Sequence, residues 1–369
     1  MKPANILIQQ PVIAPYRLPV FLSISSAGQF KVRFIASDVT FTGETSRKGQ
    51  ASVEVSLVRS LRFPLGFVWQ KGLSREIRSG KSILISLGYD PHYLSSIWAA
   101  MWARRHGVAV VLWGHGVHER SSRFATWLYA RMARLADALV FYAEGGARAC
   151  IDSGIDPKRV FVAWNSIDTS GIEGLRAPGR FELRRRVVLL GRLTEGKKPL
   201  LAIQAFALAL PSLPTNTILT IIGDGPLREA CIEEASRLGI TDRVELTGAI
   251  YDDSELASFM NDAWICLSTG YVGLSAIHSL AFGVPMVYSR NEKHSPEVCA
   301  LEVDTNALDF ETDSVTDLAR VLSKMSADRE RCAEMGRNGM EVVKKRFSVE
   351  AMSATLIEAF QYAASVRKD

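Results

Sequence analysis

Short apolar runs separated by helical patterns recur along the whole chain and constrain its fold more than any other feature. In the first half, helical patterns at 93–105 and 123–135 lie between such runs. Continuous apolar runs of this length are typical of strands buried on both faces, and their alternation with helices predicts a parallel sheet covered by helices. The expected strands of this half lie at 5–9, 32–36, 53–57, 83–87, 108–113, 138–142 and 160–163.

The second half of the chain repeats this pattern and predicts a second doubly wound sheet. Residues 171–186 between the halves are rich in Gly, Pro and Arg, a composition typical of a linker. A chain of 369 residues is also too long for one ordinary core. We therefore expect an N-terminal Rossmann-like domain at 1–170, a linker at 171–186 and a second such domain at 187–345. The strands expected in the second domain lie at 187–190, 217–222, 243–248, 264–267 and 285–289, and the helices at 199–210 and 253–261; the region 314–360 is helical by pattern.

Charge is spread unevenly over the two halves. Residues 1–170 hold 21 Lys and Arg against 11 Asp and Glu, whereas the remainder holds 23 against 28. A basic half next to an acidic half indicates that only the first half meets an anionic partner. No nucleic-acid-binding motif occurs, so we expect an anionic lipid surface or a phosphate-bearing acceptor, and no nucleic acid.

The N-terminus and the cysteines predict a cytoplasmic protein. The first apolar run is broken by Gln9, Gln10 and Pro11 and is too short for a signal peptide. No run reaches the roughly eighteen apolar residues of a membrane span. The five cysteines are scattered, which disfavours a zinc site or a disulfide framework and fits a reducing compartment.

The loop that begins at Ser268 has the composition of a phosphate-binding site. Gly270 and Gly273 separate an expected strand from a helical pattern that starts at Leu274 and Ser275. Glycines at such a junction let the backbone approach a ligand, and the N–H groups at a helix start attract phosphate. An ordinary strand-to-helix turn of an α/β domain is the alternative.

Two other strand ends in the second half have features of the same kind. Gly191 and Arg192 follow the first strand of this half, with Lys197 five residues after the arginine, and two cations at a strand end suit a diphosphate. A solvated basic loop is the alternative. The strand at 217–222 ends in a turn formed by Gly223, Asp224 and Gly225.

Two loops in the first half carry side chains capable of chemistry. His115 lies between glycines after the strand at 108–113, where an imidazole can serve as a polar or acid–base group. It can equally be a residue that only caps the loop. Tyr16 and Arg17 precede a helix expected from Pro19, and ordinary surface residues are the alternative there.

Two elements of the first half combine arginine with bulky apolar residues. The segment 57–69 holds Arg59 and Arg62, and a helix expected further on holds Arg120, Arg123, Trp127, Arg131 and Arg134. Basic residues and tryptophan on one element are typical of an interfacial membrane contact. A solvated basic face over core tryptophans is the alternative.

Taken in order, motifs along nearly the whole chain resemble those of the retaining glycosyltransferases of family four. The resemblance depends on the order and spacing of the motifs, since each is weak alone. They lie at 15–21 and 113–116 in the first half, at 165–168 near the junction, and at 191–193 with Lys197, 223–226, 244–248 and 273–285 in the second half.

The resemblance implies two Rossmann-like domains facing a cleft, the GT-B fold, with a nucleotide sugar bound mainly by the second domain. A last helix, at 346–369, is implied to cross back to the first domain. Arg192 and Lys197 are implied to bind the diphosphate and stabilise the leaving group, with no metal or other cofactor. His115 is implied to lie near the reacting sugar, and Tyr16 and Arg17 on the acceptor side. The implied donor-binding residues are Gly191, Gly223, Asp224, Gly225, Gly270, Gly273, Leu274, Ser275 and His278.

The chain departs from the family pattern at two positions. The family has two glutamates separated by seven residues, the first beside the donor sugar and the second on the ribose. Gly270 and His278 stand at these positions here. An imidazole can donate and accept hydrogen bonds, so His278 can contact the ribose, whereas Gly270 offers no side chain.

These observations together predict a retaining, metal-independent glycosyltransferase. It is expected to move a sugar from a nucleotide sugar to a lipid-linked or growing surface-polysaccharide acceptor. Its expected location is the cytoplasm, at the inner face of the cell membrane, with peripheral contact through the basic first domain. A nucleotide-sugar epimerase of the same fold is one alternative. A nucleotide-sugar-binding subunit without activity is the other, and the two missing glutamates motivate it.

Overall fold

The protein divides into two units, each built around a parallel sheet. A computed structural model describes residues 4–37, 54–79, 82–117, 122–177 and 179–367. The first unit comprises Met1–Asp168 and Val349–Asp369, and the second comprises Thr169–Ser348. Arg120 and the first residue of the strand expected at 53–57 lie outside the described residues.

The first unit confirms the strands expected in the first half, with ends shifted by one or two residues. The sequence patterns missed a short antiparallel pair, Ser60–Arg62 with Val68–Gln70, because these strands are short and Ser60, Arg62 and Gln70 interrupt their apolar runs. In chain order the elements are β1 (Ala4–Gln10), α1 (Leu18–Ser26), β2 (Phe30–Ser37), β3 (Glu54–Val58), β4 (Ser60–Arg62), β5 (Val68–Gln70), α2 (Leu73–Arg78), β6 (Leu84–Gly88), α3 (Leu94–Arg105), β7 (Ala109–Gly114), α4 (Arg123–Ala133), β8 (Ala138–Phe141), α5 (Glu144–Asp152) and β9 (Val160–Val162).

The first sheet runs in the order β3-β2-β1-β6-β7-β8-β9, and its described strands are all parallel. Successive side chains of β1 enter opposite faces: Ile6 and Ile8 pack with α1, and Leu7 packs with α3. The order of strands reverses at β1, which lies between β2 and β6. Ligands of such sheets bind outside the carboxyl ends of the strands at this reversal point.

The second unit confirms the strands expected in the second half. The pattern missed Ala307–Phe310, a four-residue strand at the sheet edge that carries Asp309. In chain order the elements are α6 (Ile172–Leu175), β10 (Arg186–Leu190), α7 (Pro199–Ala209), β11 (Ile218–Ile222), α8 (Arg228–Arg237), β12 (Val244–Gly248), α9 (Asp253–Met260), β13 (Ala263–Ser268), α10 (Ser275–Ala281), β14 (Met286–Ser289), β15 (Ala307–Phe310), α11 (Val315–Ala327) and α12 (Arg329–Arg346).

The second sheet has the order β12-β11-β10-β13-β14-β15, and its described strands are also parallel. Its six strands repeat the order of the strands from β3 to β8 in the seven-stranded first sheet, and its reversal point lies between β10 and β13. Phe206, Trp264 and Phe310 are fully buried around this sheet. The predicted fold class, two α/β doubly wound units, is therefore confirmed.

The last helix, α13 (Val349–Val366), belongs to the first unit although the second unit precedes it in the chain. Its buried residues Met352, Leu356 and Phe360 pack into the same apolar cluster as Ile6 and Ile8. Residues 171–186, expected as a linker, lie in the second unit and include α6. Among the described helices, none combines the length and apolarity needed to cross a bilayer.

Candidate functional site

The loops after β10 and β11 interlock through glycines. The N–H of Gly191 donates to the carbonyl of Ile222 at 3.0 Å, and the N–H of Leu193 donates to that of Asp224 at 2.9 Å. A Cβ at Gly223 would lie 1.8 Å from the Gly191 oxygen, and the residue has a φ of 155°. Only glycine fits there, so the predicted turn at 223–225 is held against the end of β10.

Lys197 links the end of β10 to the loop after β13. Its ammonium donates to the carbonyl of Tyr271 at 2.7 Å and lies 3.7 Å from the centroid of the Tyr271 ring. A Cβ at Gly273 would lie 3.6 Å from the same nitrogen. The cation therefore lies at the reversal point of the second sheet, beside the glycine loop that the sequence singled out.

The two neighbouring lysines have opposite electrostatic environments. Burial lowers the pKa of Lys197 to about 8, and the carboxylate of Glu297 opposes this only in part. Burial also acts on Lys198, but hydrogen bonds to Asp313 and Glu292 outweigh it and raise its pKa. Lys197 is thus the lysine whose charge is left partly uncompensated.

Gly270 is packed too tightly to carry a side chain. A Cβ there would lie 2.0 Å from the carbonyl oxygen of Gly196, to which Tyr271 donates its N–H at 3.2 Å. Thr269 adds hydrogen bonds from its hydroxyl to the carbonyls of Lys197 and Lys198, both at 2.9 Å. The loop after β13 is therefore clamped onto the loop after β10, which explains the glycine at this position.

The start of α10 presents backbone donors. Among the described residues, no acceptor contacts the N–H groups of Gly273 and Leu274. The first internal hydrogen bond runs from the N–H of Ala276 to the carbonyl of Gly273 at 3.0 Å. Ser275 is the first helical residue and is partly buried. The predicted strand-to-helix junction is present, with its donors open.

His278 lies one turn into α10, and its side chain is 28% exposed. Its Nε2 atom is 3.9 Å from the carboxylate of Asp253 at the start of α9. Burial lowers the pKa of His278, against opposing effects from Asp253 and the Leu274 backbone. The imidazole is therefore neutral at physiological pH and has both a donor and an acceptor nitrogen.

The two remaining donor-side residues with ionisable side chains, Arg192 and Asp224, are exposed. The guanidinium of Arg192 forms no ion pair within the described part of the chain. Asp224 accepts a hydrogen bond from the N–H of Gly225 at 2.7 Å, which stabilises the turn. Arg192 is thus available to an anion, whereas Asp224 has a structural partner.

In the first unit, His115 follows β7 and is exposed. Its ring lies 4.7 Å from the ring of Tyr142. A Cβ at Gly146 would lie 2.3 Å from the His115 carbonyl, and one at Gly114 would lie 3.0 Å from the Tyr89 carbonyl. These close backbone contacts of Gly114 and Gly146 fix the backbone on either side of His115. They account for a glycine next to the histidine in the sequence.

Tyr16, Arg17 and His115 line one cavity of about 360 Å³ at the carboxyl ends of β1, β6 and β7. Arg17 is buried, so its interpretation as a surface residue is wrong. Its guanidinium carbon lies 4.5 Å from the centroid of the Tyr142 ring and 5.1 Å from that of Trp113. This cavity occupies the reversal point of the first sheet.

The structure thus places the predicted residues in two groups, one in each unit. In the second unit, Lys197 lies beside Gly191, Gly270 and Gly273. Gly223 contacts Gly191 from the neighbouring loop. The sequence analysis missed Tyr271, although it lies inside the loop that had been singled out. An aromatic residue between two loop glycines was the available signal. No group of three or more His, Cys, Asp or Glu side chains placed to bind a metal ion occurs among the described residues.

Comparison with known proteins gives two family profiles that follow one another along the chain. Residues 27–170 match the profile of "Glycosyltransferase Family 4", and residues 175–342 match that of "Glycosyl transferases group 1". The junction between them falls near the boundary of the two units.

Sequence identity to individual proteins is below 30% for the two relatives described next. The chain is 29% identical over 279 residues, 69% of each chain, to a GDP-mannose-dependent alpha-(1-6)-phosphatidylinositol dimannoside mannosyltransferase of Mycobacterium tuberculosis. It is 26% identical over 167 residues, 44% of each chain, to an N-acetylgalactosamine-N,N'-diacetylbacillosaminyl-diphospho-undecaprenol 4-alpha-N-acetylgalactosaminyltransferase of Campylobacter jejuni.

Among solved structures, Alr3699/HepE of Anabaena in complex with UDP aligns with a TM-score of 0.71 at 15% identity. The alignment covers 97% of this chain and 99% of that one. At this identity the likeness concerns the fold. With both family profiles matched in order over most of its length, the chain belongs to the glycosyltransferases of family four.

Proposed function

We propose that this glycosyltransferase moves a sugar, with retention at the anomeric carbon, from a nucleotide sugar to a lipid-linked or growing surface-polysaccharide acceptor. The observation that carries the proposal is the contact of Lys197 with the loop after β13. A half-buried ammonium beside Gly273 and exposed Arg192 form a cationic site for a diphosphate. It lies at the reversal point where sheets of this kind bind nucleotides.

Arg192 and Lys197 have the charge that the leaving group requires. When the bond from the anomeric carbon to the diphosphate breaks, negative charge grows on the departing oxygen. Cations already fixed beside that oxygen stabilise the charge without reorganising. Backbone N–H groups of Gly273 and Leu274 add donors aimed at the same anion. In this proposal no metal ion is needed, because these groups neutralise the diphosphate.

The donor sugar and ribose are bound without the usual carboxylates. His278, neutral and able to donate and accept, takes the ribose hydroxyls. No side chain can reach the donor sugar from position 270, because a Cβ there would overlap the Gly196 carbonyl. Hydroxyl recognition at that point therefore falls to backbone groups of the clamped loops. Gly223, Asp224 and Gly225 complete the donor side.

The acceptor side belongs to the first unit. His115 lines the cavity there and can hydrogen-bond a sugar hydroxyl or carry a proton. Tyr16 and Arg17 line it too. The two relatives named above act on a phosphatidylinositol mannoside and a diphospho-undecaprenol-linked sugar, which supports a lipid-linked acceptor. The alpha linkages in both names support retention.

Exposed apolar side chains suited to membrane contact support the same acceptor class. The apolar side chains of Leu65, Phe124 and Trp127 are 87%, 67% and 53% exposed. The guanidinium of Arg131 lies 5.5 Å above the Trp127 ring. Exposed aromatics with arginine suit an anionic lipid surface at the inner face of the cell membrane.

The elements that carry this surface contact the same loop after β6. In the β4–β5 hairpin, which carries Leu65, Val68 donates its N–H to the carbonyl of His92 at 2.8 Å. In α4, which carries Phe124 and Trp127, the carbonyl of Tyr129 accepts from the hydroxyl of Tyr89 at 2.9 Å. Through Tyr129, α4 therefore lines the acceptor cavity, whereas the hairpin contacts the loop that carries the cavity residues Tyr89 and Asp90.

Transfer is tested by incubating the protein with a panel of nucleotide sugars and lipid-linked acceptors. Nucleoside diphosphate release and an alpha-configured product from an alpha-configured donor are expected. An inverted product would rule out retention. Nucleotide binding with no turnover over a broad panel would instead favour a non-catalytic binding subunit, the second candidate, which the blocked position 270 favours.

Membrane contact is tested by co-sedimentation with vesicles of phosphatidylcholine with and without phosphatidylglycerol. Removing Trp127 from the apolar surface should weaken binding to anionic vesicles about tenfold, because a tryptophan side chain buries a large apolar area. Leu208→Ser is the matched control, since Leu208 is equally exposed but lies in the second unit. Equal binding by Trp127→Ser and Leu208→Ser would contradict the surface assignment.

A further inference from the structure

The cavity in the first unit contains a buried cation without a carboxylate partner. Arg17 is 7% exposed. Within the described part of the chain, no carboxylate lies within 4 Å of its guanidinium, and its Nη1 atom has the sulfur of Met352 as a weak partner at 3.9 Å. A buried charge is costly unless a counter-charge accompanies it.

Aromatic rings hold this guanidinium in place. Its central carbon lies 4.5 Å from the ring centroid of Tyr142, 5.1 Å from that of Trp113 and 5.3 Å from that of Tyr16. Ring faces offset part of the cost of burying a cation but cannot neutralise it. The rings do fix the position of the guanidinium. Its planar set of N–H donors is therefore oriented to bind a group with two hydrogen-bond-accepting oxygens.

The charged and titratable neighbours leave this cation available. Asp90 is the carboxylate among the described cavity residues, and its Oδ1 accepts from the backbone N–H of His92 at 2.9 Å and contacts the His92 ring at 2.8 Å. His115 lines the cavity on the same side as Tyr142. Two of the four tyrosines that line the cavity, Tyr89 and Tyr129, have pKa values raised by burial and are neutral.

We propose that Arg17 binds an anionic group of the acceptor, either a phosphate or a carboxylate, while the aromatic walls of the cavity pack against the adjoining sugar ring. This inference rests on the proposed function and adds the chemical class of acceptor group recognised. The missing counter-charge of Arg17 is thus supplied by the acceptor. An acceptor without such a group leaves the guanidinium buried and unpaired, so the cavity discriminates against neutral saccharides.

The test measures binding of small probes to the whole protein by calorimetry. Glucose 1-phosphate, glucuronate and glucose are compared, in a Lys197→Met background that weakens anion binding at the donor side. We expect glucose 1-phosphate or glucuronate to bind at least tenfold more tightly than glucose, since hydrogen bonds to a charged group discriminate by about this factor or more. Whichever of the two binds more tightly identifies the group as phosphate or carboxylate.

Two substitutions separate recognition from structure. Arg17→Met keeps the apolar stem but removes the charge. It should reduce the affinity for the anionic probe to the affinity for glucose. Arg17→Lys keeps a charge without the planar fork and should retain part of the preference. An unchanged preference in Arg17→Met would overturn the proposal. So would equal, weak binding of all three probes to the unsubstituted cavity.

The donor side supplies an independent check on folding and on the proposed transferase function. In a chain with Lys197 intact, Arg17→Met should bind nucleoside diphosphates like the parent, because the second unit holds those contacts. Loss of nucleotide binding together with a lower melting temperature would mark Arg17 as a structural residue and also overturn the proposal. Failure of all nucleotides to bind the parent chain would contradict the transferase function and leave the anion preference of the cavity measurable.

Discussion

The two sheets share one strand order over six strands, yet the sites at their reversal points differ in composition. Backbone groups dominate one site and side chains dominate the other. In the second unit, backbone meets backbone: Gly223 lies against Gly191 and Gly270 against Gly196. In the first unit, the backbone of Gly146 also lies against that of His115, but large side chains form most of the cavity wall, with Arg17 among aromatic rings. Glycine loops suit a ligand part that never varies, such as a diphosphate. Side-chain walls can be altered residue by residue, which suits an acceptor that differs between enzymes.

The largest effect should come from adding one methyl group where two backbones touch. Gly270→Ala would place a Cβ 2.0 Å from the Gly196 oxygen, so the two loops must separate. We expect the free energy of unfolding of the second unit to fall by about 3 kcal/mol, together with loss of nucleotide binding. Urea denaturation and calorimetry measure both.

The matched control is Gly171→Ala in the same unit, where a Cβ meets open space and φ is −75°. That substitution should change stability by no more than about 0.5 kcal/mol. Similar losses at both positions would show that the backbone contact at Gly270 does not hold the site together. A stable Gly270→Glu variant would contradict the clamped-loop account in the same way.

A neighbouring pair of lysines gives the next largest effect. Lys197→Met should lower turnover by about 10²- to 10³-fold, as removal of a preorganised charge from an active site does. Its stability should not fall, because the buried ammonium lacks full compensation. Lys198→Met should keep turnover but lose about 1 kcal/mol of stability through its pairs with Glu292 and Asp313. Steady-state kinetics and thermal unfolding measure the two effects. Stability loss in Lys197→Met and turnover loss in Lys198→Met would contradict these roles.

The pH dependence of nucleotide binding should follow Lys197. With its pKa near 8, the ammonium is charged below this pH and neutral above it, so affinity for a nucleoside diphosphate falls as pH rises through 8. The contribution of Lys197 to stability has the opposite sign. The unfolded chain binds this proton up to the ordinary pKa, so stability gains from Lys197 between pH 8 and about 10.5.

Calorimetric titration with a nucleoside diphosphate at pH values from 6.5 to 9.5 measures this pH dependence of the affinity. Lys197→Met should bind more weakly and lose the inflection near pH 8, whereas Lys198→Met should retain it. An inflection that persists in Lys197→Met belongs to another group.

Two histidines give the smallest effect and compare the units directly. His278→Ala should weaken nucleotide binding about fivefold, the value of one hydrogen bond of about 1 kcal/mol. His115→Ala should leave nucleotide affinity unchanged and lower turnover, because its cavity belongs to the first unit. Equal nucleotide affinity of His278→Ala and the parent chain would remove His278 from the ribose site.

Much of the fold was predictable because its signals are local. The apolar runs gave nearly every long strand to within two residues, and the helix expected at 253–261 is α9, whose N-terminus is capped by the side chain of Asp252. The pair β4–β5 and the strand β15 were missed because these strands are short and polar or charged residues, such as Arg62 and Asp309, interrupt their apolar runs.

The candidate site was predictable in kind but not in its contacts. A glycine at position 270 could be read as a close approach, but its partner Gly196 lies in another loop. Arg17 was not distinguishable from a surface residue, because its burial depends on Trp113 and Tyr142 from later strands. The importance of Tyr271 depends on the contact of its ring with Lys197, which lies in another loop.

The sequence by itself determined the order of strands and helices, the glycine-rich turns and the absence of two glutamates, since these are properties of short segments. The tertiary structure decided which strand ends meet, that α13 joins the first unit, and that Lys197 and Arg17 are cations in partly dry surroundings. The physical reason is the range of the interactions. Backbone preferences act over a few residues, whereas burial and electrostatic environment depend on groups that the fold brings from distant parts of the chain.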